Sequence, residues 1–299
     1  MAGIKEYAGV ARAPFLLLPP TLVAAGAAAA AWDGAFSWAR TLLAVFGLVV
    51  LHMAVNILNE WSDMRTGIDL ETKRTPFSGG SGTLPAGGMD SKTALVFGLV
   101  CSGLGLAIGL WFVSKVGWIL LPIILAGAVS VLAYTDVLAR IGVGEIAAGF
   151  GLGAGPVIGS ALVQGGGWSV AAAAASIPAF FMTFNLLLLN EFPDEEADRR
   201  GGRRNLVILL GRRNAAWIYN LAGIATPAAL IGAVILGKLP PLCLVAALPS
   251  LLLVKAVRWA ARDPAEPVPI PALGANVVWN LATNALVALT LIVAMFLRD

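Results

Sequence analysis

Thr41-Leu-Leu-Ala-Val-Phe-Gly-Leu-Val-Val-Leu-His52-Met-Ala-Val-Asn56-Ile-Leu-Asn59-Glu60-Trp61-Ser-Asp63 is the stretch that decides the fold. No charge interrupts it between Thr41 and Leu58. A helix crossing the ~30 Å hydrocarbon layer needs about 20 mainly apolar residues, and this run supplies them. It then ends in amides and acids. The same junction recurs later, where Asn190-Glu191-Phe-Pro-Asp194-Glu-Glu-Ala-Asp198 closes another apolar run.

Working outward, the 299 residues are 59% hydrophobic and only 12% charged, against about 25% charged in a typical soluble domain. The chain therefore reads as an all-α integral membrane protein. Its 34 glycines and its alanine tracts suit helices that approach closely inside a bilayer. The net charge of +3 is spread over short loops, which argues against a nucleic-acid partner. Cys101 and Cys243 each lie in an apolar run without metal-ligand spacing and are expected to be buried packing residues. Lys5, Glu6 and Arg12 precede an apolar run with no cleavage site, so that run reads as the first membrane helix.

About nine membrane helices are predicted, over 14–32, 38–58, 93–113, 116–135, 144–163, 170–190, 214–236, 239–256 and 276–297. A single domain over 1–299 is expected, with a weak internal duplication relating helices two to five and six to nine. Lys and Arg concentrate on one side: Lys5, Arg12, Arg65, Lys73, Arg74, Arg140, Arg199, Arg200, Arg203 and Arg204 all fall there. That bias places the N-terminus and both acidic junctions in the cytoplasm.

Asn59 and Asp63 stand one helical turn apart on one face. Asp69 is six residues further and would point away from a straight helix, unless Gly67 ends or bends it. Asn190, Asp194 and Asp198 recur every four residues, so one face presents all three. Carboxylates and amide carbonyls are hard ligands that suit Mg2+, which usually bridges to a substrate phosphate. His52, the one histidine, lies in the body of its helix, so a zinc or iron centre is not expected. Arg12, Lys73, Arg74 and Arg140 bring cations to the same face. With two Mg2+ ions they suit a diphosphate. Thr75-Pro-Phe-Ser-Gly79-Gly80-Ser-Gly82 is either a lid over a phosphate or a plain flexible loop; it has no nucleotide-loop pattern. Gly149-Phe-Gly151-Leu-Gly153-Ala-Gly155 either leaves room for an apolar chain or lets helices pack closely.

Asn56-x-x-Asn59-Glu60-Trp61-x-Asp63-x-x-x-Gly67-x-Asp69 resembles the first aspartate-rich motif of the UbiA superfamily of intramembrane prenyltransferases. It is most like that of the 1,4-dihydroxy-2-naphthoate prenyltransferase branch. Glu191-x-x-Asp194-x-x-x-Asp198-x-x-x-Gly202-x-Arg204-Asn205-Leu206 resembles the second motif and its tail, and Tyr134-Thr135 and Gly142-x-Gly144-Glu145 match the region near helix five. Glu60, Trp61, Arg203 and Asn205 depart from that branch. The resemblance implies nine helices around a central cavity in the cell's inner or plasma membrane, with the active site facing the cytoplasm. It implies that Asn59, Asp63, Asp69, Asn190, Asp194 and Asp198 bind Mg2+ and, through it, an isoprenyl diphosphate donor. Arg12, Lys73, Arg74 and Arg140 would contact the phosphates, and Tyr134 would face the allylic carbon. The acceptor would be a small aromatic quinone precursor or a glycerol-phosphate lipid precursor. A terpene cyclase of the same superfamily is the alternative that needs no acceptor. A transporter would carry its acids at mid-membrane, where this sequence has none.

Overall fold

The computed structural model describes residues 2–298, whose regular structure is all helical, with no strand among them. A short helix, α1 (Ile4–Val10), precedes α2 (Leu18–Trp32), α3 (Trp38–Thr66) and the one-turn α4 (Ile68–Glu71). Then come α5 (Ser91–Val116), α6 (Leu121–Leu132), α7 (Gly144–Gly149), α8 (Gly155–Leu162) and α9 (Val170–Arg200). Helices α10 (Leu206–Ile235), α11 (Val254–Arg262) and α12 (Ile270–Phe296) complete the chain. Short 3-10 or wide turns join several of these, so that Ala13–Trp32, Gly144–Leu162 and Pro241–Arg262 each form one crossing. Eight helices among the described residues are long and apolar enough to span a membrane, and Trp118–Leu132 is a shorter ninth.

The crossings occur where apolar runs predict them because a bilayer leaves backbone amides no partner but each other. Polar caps set the ends. Ser37, Asp90, Ser169 and Asn205 accept hydrogen bonds from the backbone N–H groups of Arg40, Thr93, Ala172 and Ile208. Two boundaries move in a way that matters. Helices two and six were expected to stop at 58 and 190, but α3 runs to Thr66 and α9 to Arg200. The acidic residues there make helical turns that project beyond the apolar slab, so hydropathy alone underestimates both helices. Helix seven starts at Leu206 with a break at Gly211, and the last begins at Ile270.

The core is small-residue packing. Ala25, Ala28 and Ala29 of α2 meet Val157 and Ala161 of α8, and Ala175, Ala179 and Met182 of α9. Trp279 of α12 is fully buried beside them, its indole Nε1–H donating to Ser250 Oγ at 3.2 Å. Outward faces stay apolar, as at Leu125, Leu221, Ile224 and Leu251, where acyl chains would be the solvent. Trp38, Trp118 and Trp168 are exposed at helix starts on the side opposite the acids, an interfacial aromatic belt.

Candidate active site

The ends of α3 and α9 face each other across a cavity of about 180 Å³. From α3 it takes His52, Asn56, Asn59 and Asp63, which share one helical face; from α9 it takes Asn190, Glu191, Asp194 and Asp198. Asp69 joins them because α3 stops at Gly67, whose φ of 83° lies in the left-handed region where a side chain is strained. The next turn, α4, starts in a new direction and carries Asp69 back to the cavity wall. Arg12 and Tyr134 also line it.

The glycine-rich loop closes over this rim. Gly79 N–H donates to Asp194 Oδ2 at 3.2 Å, and the loop backbone abuts Asp69 at Gly80. A Cβ at Gly80 would lie 2.8 Å from Asp69 Oδ1, and φ there is 73°, so only glycine fits. Glu60, fully buried, fastens the arrangement from behind. It accepts Arg12 Nε–H at 3.0 Å, Ser81 N–H at 2.5 Å and Ser81 Oγ–H at 2.6 Å. It does not line the cavity: it ties the N-terminal segment and the loop to α3.

The structure therefore brings Asn59, Asp63, Asp69, Asn190, Asp194, Asp198, Arg12 and Tyr134 together. Three predicted phosphate partners stand elsewhere. Lys73 is exposed and off the cavity wall. Arg74 turns back to donate to the Asp69 backbone carbonyl at 3.2 Å. Arg140 sits beside Gly202, outside the cavity lining. The cavity wall also carries Arg203, which the sequence offered as one of the cytoplasmic basic residues and as a motif departure. Its guanidinium donates to Asp63 Oδ1 and, at 2.9 Å, to Asp198 Oδ1, joining the two motifs. Its position directly after Gly202, five residues past Asp198, was the signal available for finding it. Asn205 Nδ2–H donates to the other Asp198 oxygen at 3.0 Å.

Burial sets the electrostatics. It pushes the Asp69 carboxyl up to about 7, with nearby Asp63 and Glu60 adding to the effect. Burial opposes the charge on Arg203, but Asp63 and Asp198 outweigh it and hold the guanidinium above its usual range. Arg12 is raised in the same manner by Glu60. Burial also drives the Tyr134 phenol well up, so it stays neutral.

Do these residues fit a hard cation? Buried Asp69 Oδ2, Asp194 Oδ1 and Glu191 Oε2 have no hydrogen-bond partner, and such buried acceptors normally find one. The donor set is all oxygen, as Mg2+ prefers. Among the described residues, no three acid, histidine or cysteine side chains close into a ready-made cage, since Arg203 stands between Asp63 and Asp198. The fit is one of chemistry, with the acids still parted.

A second chamber, of about 350 Å³ and almost wholly apolar, lies among α3, α5, α6 and α8; His52 and Leu152 line both spaces. Gly151, Gly155 and Gly159 face this chamber, whereas Gly153 packs on α9, where a Cβ would come within 2.5 Å of the Ala179 carbonyl. Along the glycine run, one face borders this apolar space and the other packs closely on α9.

Comparison with known proteins agrees with this architecture. The chain is 26% identical over 258 residues to the 1,4-dihydroxy-2-naphthoate octaprenyltransferase of Bacillus subtilis, covering 85% of this chain and 82% of that one. It is 28% identical over 157 residues to a digeranylgeranylglyceryl phosphate synthase of Thermococcus gammatolerans, covering 48% and 50%. A UbiA homologue from Archaeoglobus fulgidus, solved bound to GPP and Mg2+, superposes with a TM-score of 0.64 at 13% identity, covering 95% of this chain and 99% of that one. The model of the UbiA prenyltransferase family matches residues 17–271, and the chain belongs to that family.

Proposed function

We propose that this integral membrane prenyltransferase holds the diphosphate of an isoprenyl donor between the ends of α3 and α9, with two Mg2+ ions, on the cytoplasmic face. In this reading it passes the prenyl group to an aromatic quinone precursor such as 1,4-dihydroxy-2-naphthoate. The observation that carries it is the meeting of the two acidic motifs, 131 positions apart between Asp63 and Asp194, on one cavity that opens below into apolar walls. A dianionic head and a hydrocarbon tail require that pairing. The breadth of the match to the naphthoate enzyme, against half-length coverage of the glycerol-phosphate enzyme, favours the aromatic acceptor.

Asp63, Asp69, Asp194 and Asp198, with the Asn59 and Asn190 amide oxygens, would hold the metal. Bound Mg2+ would offset charge on the departing diphosphate. Arg12, on the cavity wall, adds a fixed positive charge where that negative charge develops. The C1–O bond of the donor breaks with its electron pair leaving on the diphosphate. The buried, neutral Tyr134 ring offers an aromatic face to the resulting allylic cation. The closed loop Gly79–Gly82 and the apolar walls keep water from capturing that cation. An electron-rich ring carbon of the acceptor then forms the new bond to C1, and the ring regains its aromaticity as that carbon loses its proton, or its carboxyl group as CO2.

Purified protein incubated with Mg2+, geranylgeranyl diphosphate and a panel of acceptors is expected to yield a prenylated naphthoate by mass spectrometry. A product from glycerol phosphate alone would instead favour an ether-lipid synthase, and a hydrocarbon formed from donor alone a cyclase. Diphosphate release unchanged in both Asp63→Ala and Asp194→Ala would overturn the reading.

A further inference from the structure

Among the described residues, only Arg203 forms ion pairs with both acidic motifs. Its side chain is 15% exposed, its partners Asp63 and Asp198 5% and 2%. Its Nε is buried with no acceptor. The surrounding backbone is fixed: Arg203 N–H donates to the Asp198 carbonyl and Arg204 N–H to the Ala139 carbonyl, each at 2.9 Å. Any movement therefore belongs to the long side chain.

Two carboxylates this deeply buried need a cation between them to stay charged. The guanidinium supplies it. On Asp198 neither oxygen is free, since Oδ1 accepts from Arg203 and Oδ2 from Asn205. Mg2+ demands close, nearly octahedral ligands at about 2.0–2.1 Å, so an ion that takes Asp198 Oδ1 and draws Asp63 to it displaces the guanidinium now lying between them. Once displaced, Arg203 is left on the cavity wall with a planar fork whose spacing matches phosphate oxygens.

We propose that Arg203 is a partner-switching residue, which pairs Asp63 with Asp198 until a divalent ion takes those carboxylates and then turns to the diphosphate. The inference rests on the metal and diphosphate assignment above. It makes metal and diphosphate cooperative: diphosphate gives the guanidinium somewhere to go, so the ion alone binds weakly.

The test is calorimetry on the purified full chain, with Mg2+ alone, then with inorganic pyrophosphate at fixed Mg2+. In the wild type, pyrophosphate should tighten Mg2+ by about fivefold or more, the lower range of an allosteric coupling. Arg203→Gln removes the competitor. It should bind Mg2+ alone about fivefold or more tighter, yet bind Mg-pyrophosphate about tenfold weaker, because a charge-assisted bond is lost. Arg203→Lys keeps the charge without the fork and should shift both affinities in the same directions, less far; it carries the test should Arg203→Gln not fold. Equal or weaker binding of Mg2+ alone in the folded variants overturns the proposal and leaves the proposed function standing. A wild type that binds neither Mg2+ nor pyrophosphate overturns both.

Discussion

The ends of α3 and α9 begin their acidic stretches alike and finish them differently. On α9, Asn190, Asp194 and Asp198 follow at every fourth residue along one continuous helix, which Pro193 does not break. On α3, Asn59 and Asp63 obey the same spacing, but the third acid arrives only after the chain has turned at Gly67 into α4. One wall of the site is thus a rigid rod, and the other is hinged. The hinged side is held by the N-terminal segment and the glycine-rich loop through Glu60 to Arg12 and Ser81, and it is tied to the rod itself through Glu71 to Arg200. Rigidity built into one helix has to be assembled from several pieces on the other.

If both walls serve one site, Asp63→Ala and Asp194→Ala should each lower kcat on the order of 10²–10³-fold, the scale of losing a preorganised electrostatic group. A loss confined to one of them, in assays of diphosphate release, would break the symmetry. The hinge should show next. Gly67→Ala forces a side chain into the left-handed region at about 1–2 kcal/mol and displaces Asp69. Its KM for donor should rise several-fold, whereas Pro193→Ala on the rod, measured alongside, should move it by less than about threefold. Glu60→Gln weakens charge-assisted bonds that secure the loop, each about 1.5–3 kcal/mol in such a setting. Faster proteolytic cutting between residues 72 and 90 is the expected readout, with no comparable change at 201–205. The smallest effect should come from the exposed Arg200–Glu71 pair, 62% and 51% exposed. Arg200→Ala should leave the thermal midpoint indistinguishable from that of the wild type.

Much of this was legible in the residues. The crossings follow from uninterrupted apolar runs, and the acid face of α9 from a spacing of four. Gly67 announced that Asp69 needed a turn. What was not legible was which cation would meet which acid. Lys73, Arg74 and Arg140 are close in sequence or topology to the site, but pairing depends on side-chain direction after the loop has folded. Arg74 is captured by the Asp69 carbonyl, and Arg140 lies behind Gly202. Arg203 looked like one more basic residue after a helix because its value comes from a contact with Asp63, 140 positions away. Glu60 likewise sits inside the motif yet faces away from the cavity, a matter of which helical face the loop covers.

The apolar chamber beside His52 and Leu152 has a bearing on measurement. Leu99 and Leu106, which help to line it, are 50% and 40% exposed on the surface that acyl chains would cover. A hydrocarbon passing from bilayer to chamber would exchange one oily medium for another, with little hydrophobic gain. Occupancy of such a space follows the two-dimensional density of the molecule among lipids, not its concentration in the buffer. Adding inert lipid at fixed total substrate should dilute occupancy as surely as adding water dilutes a soluble ligand.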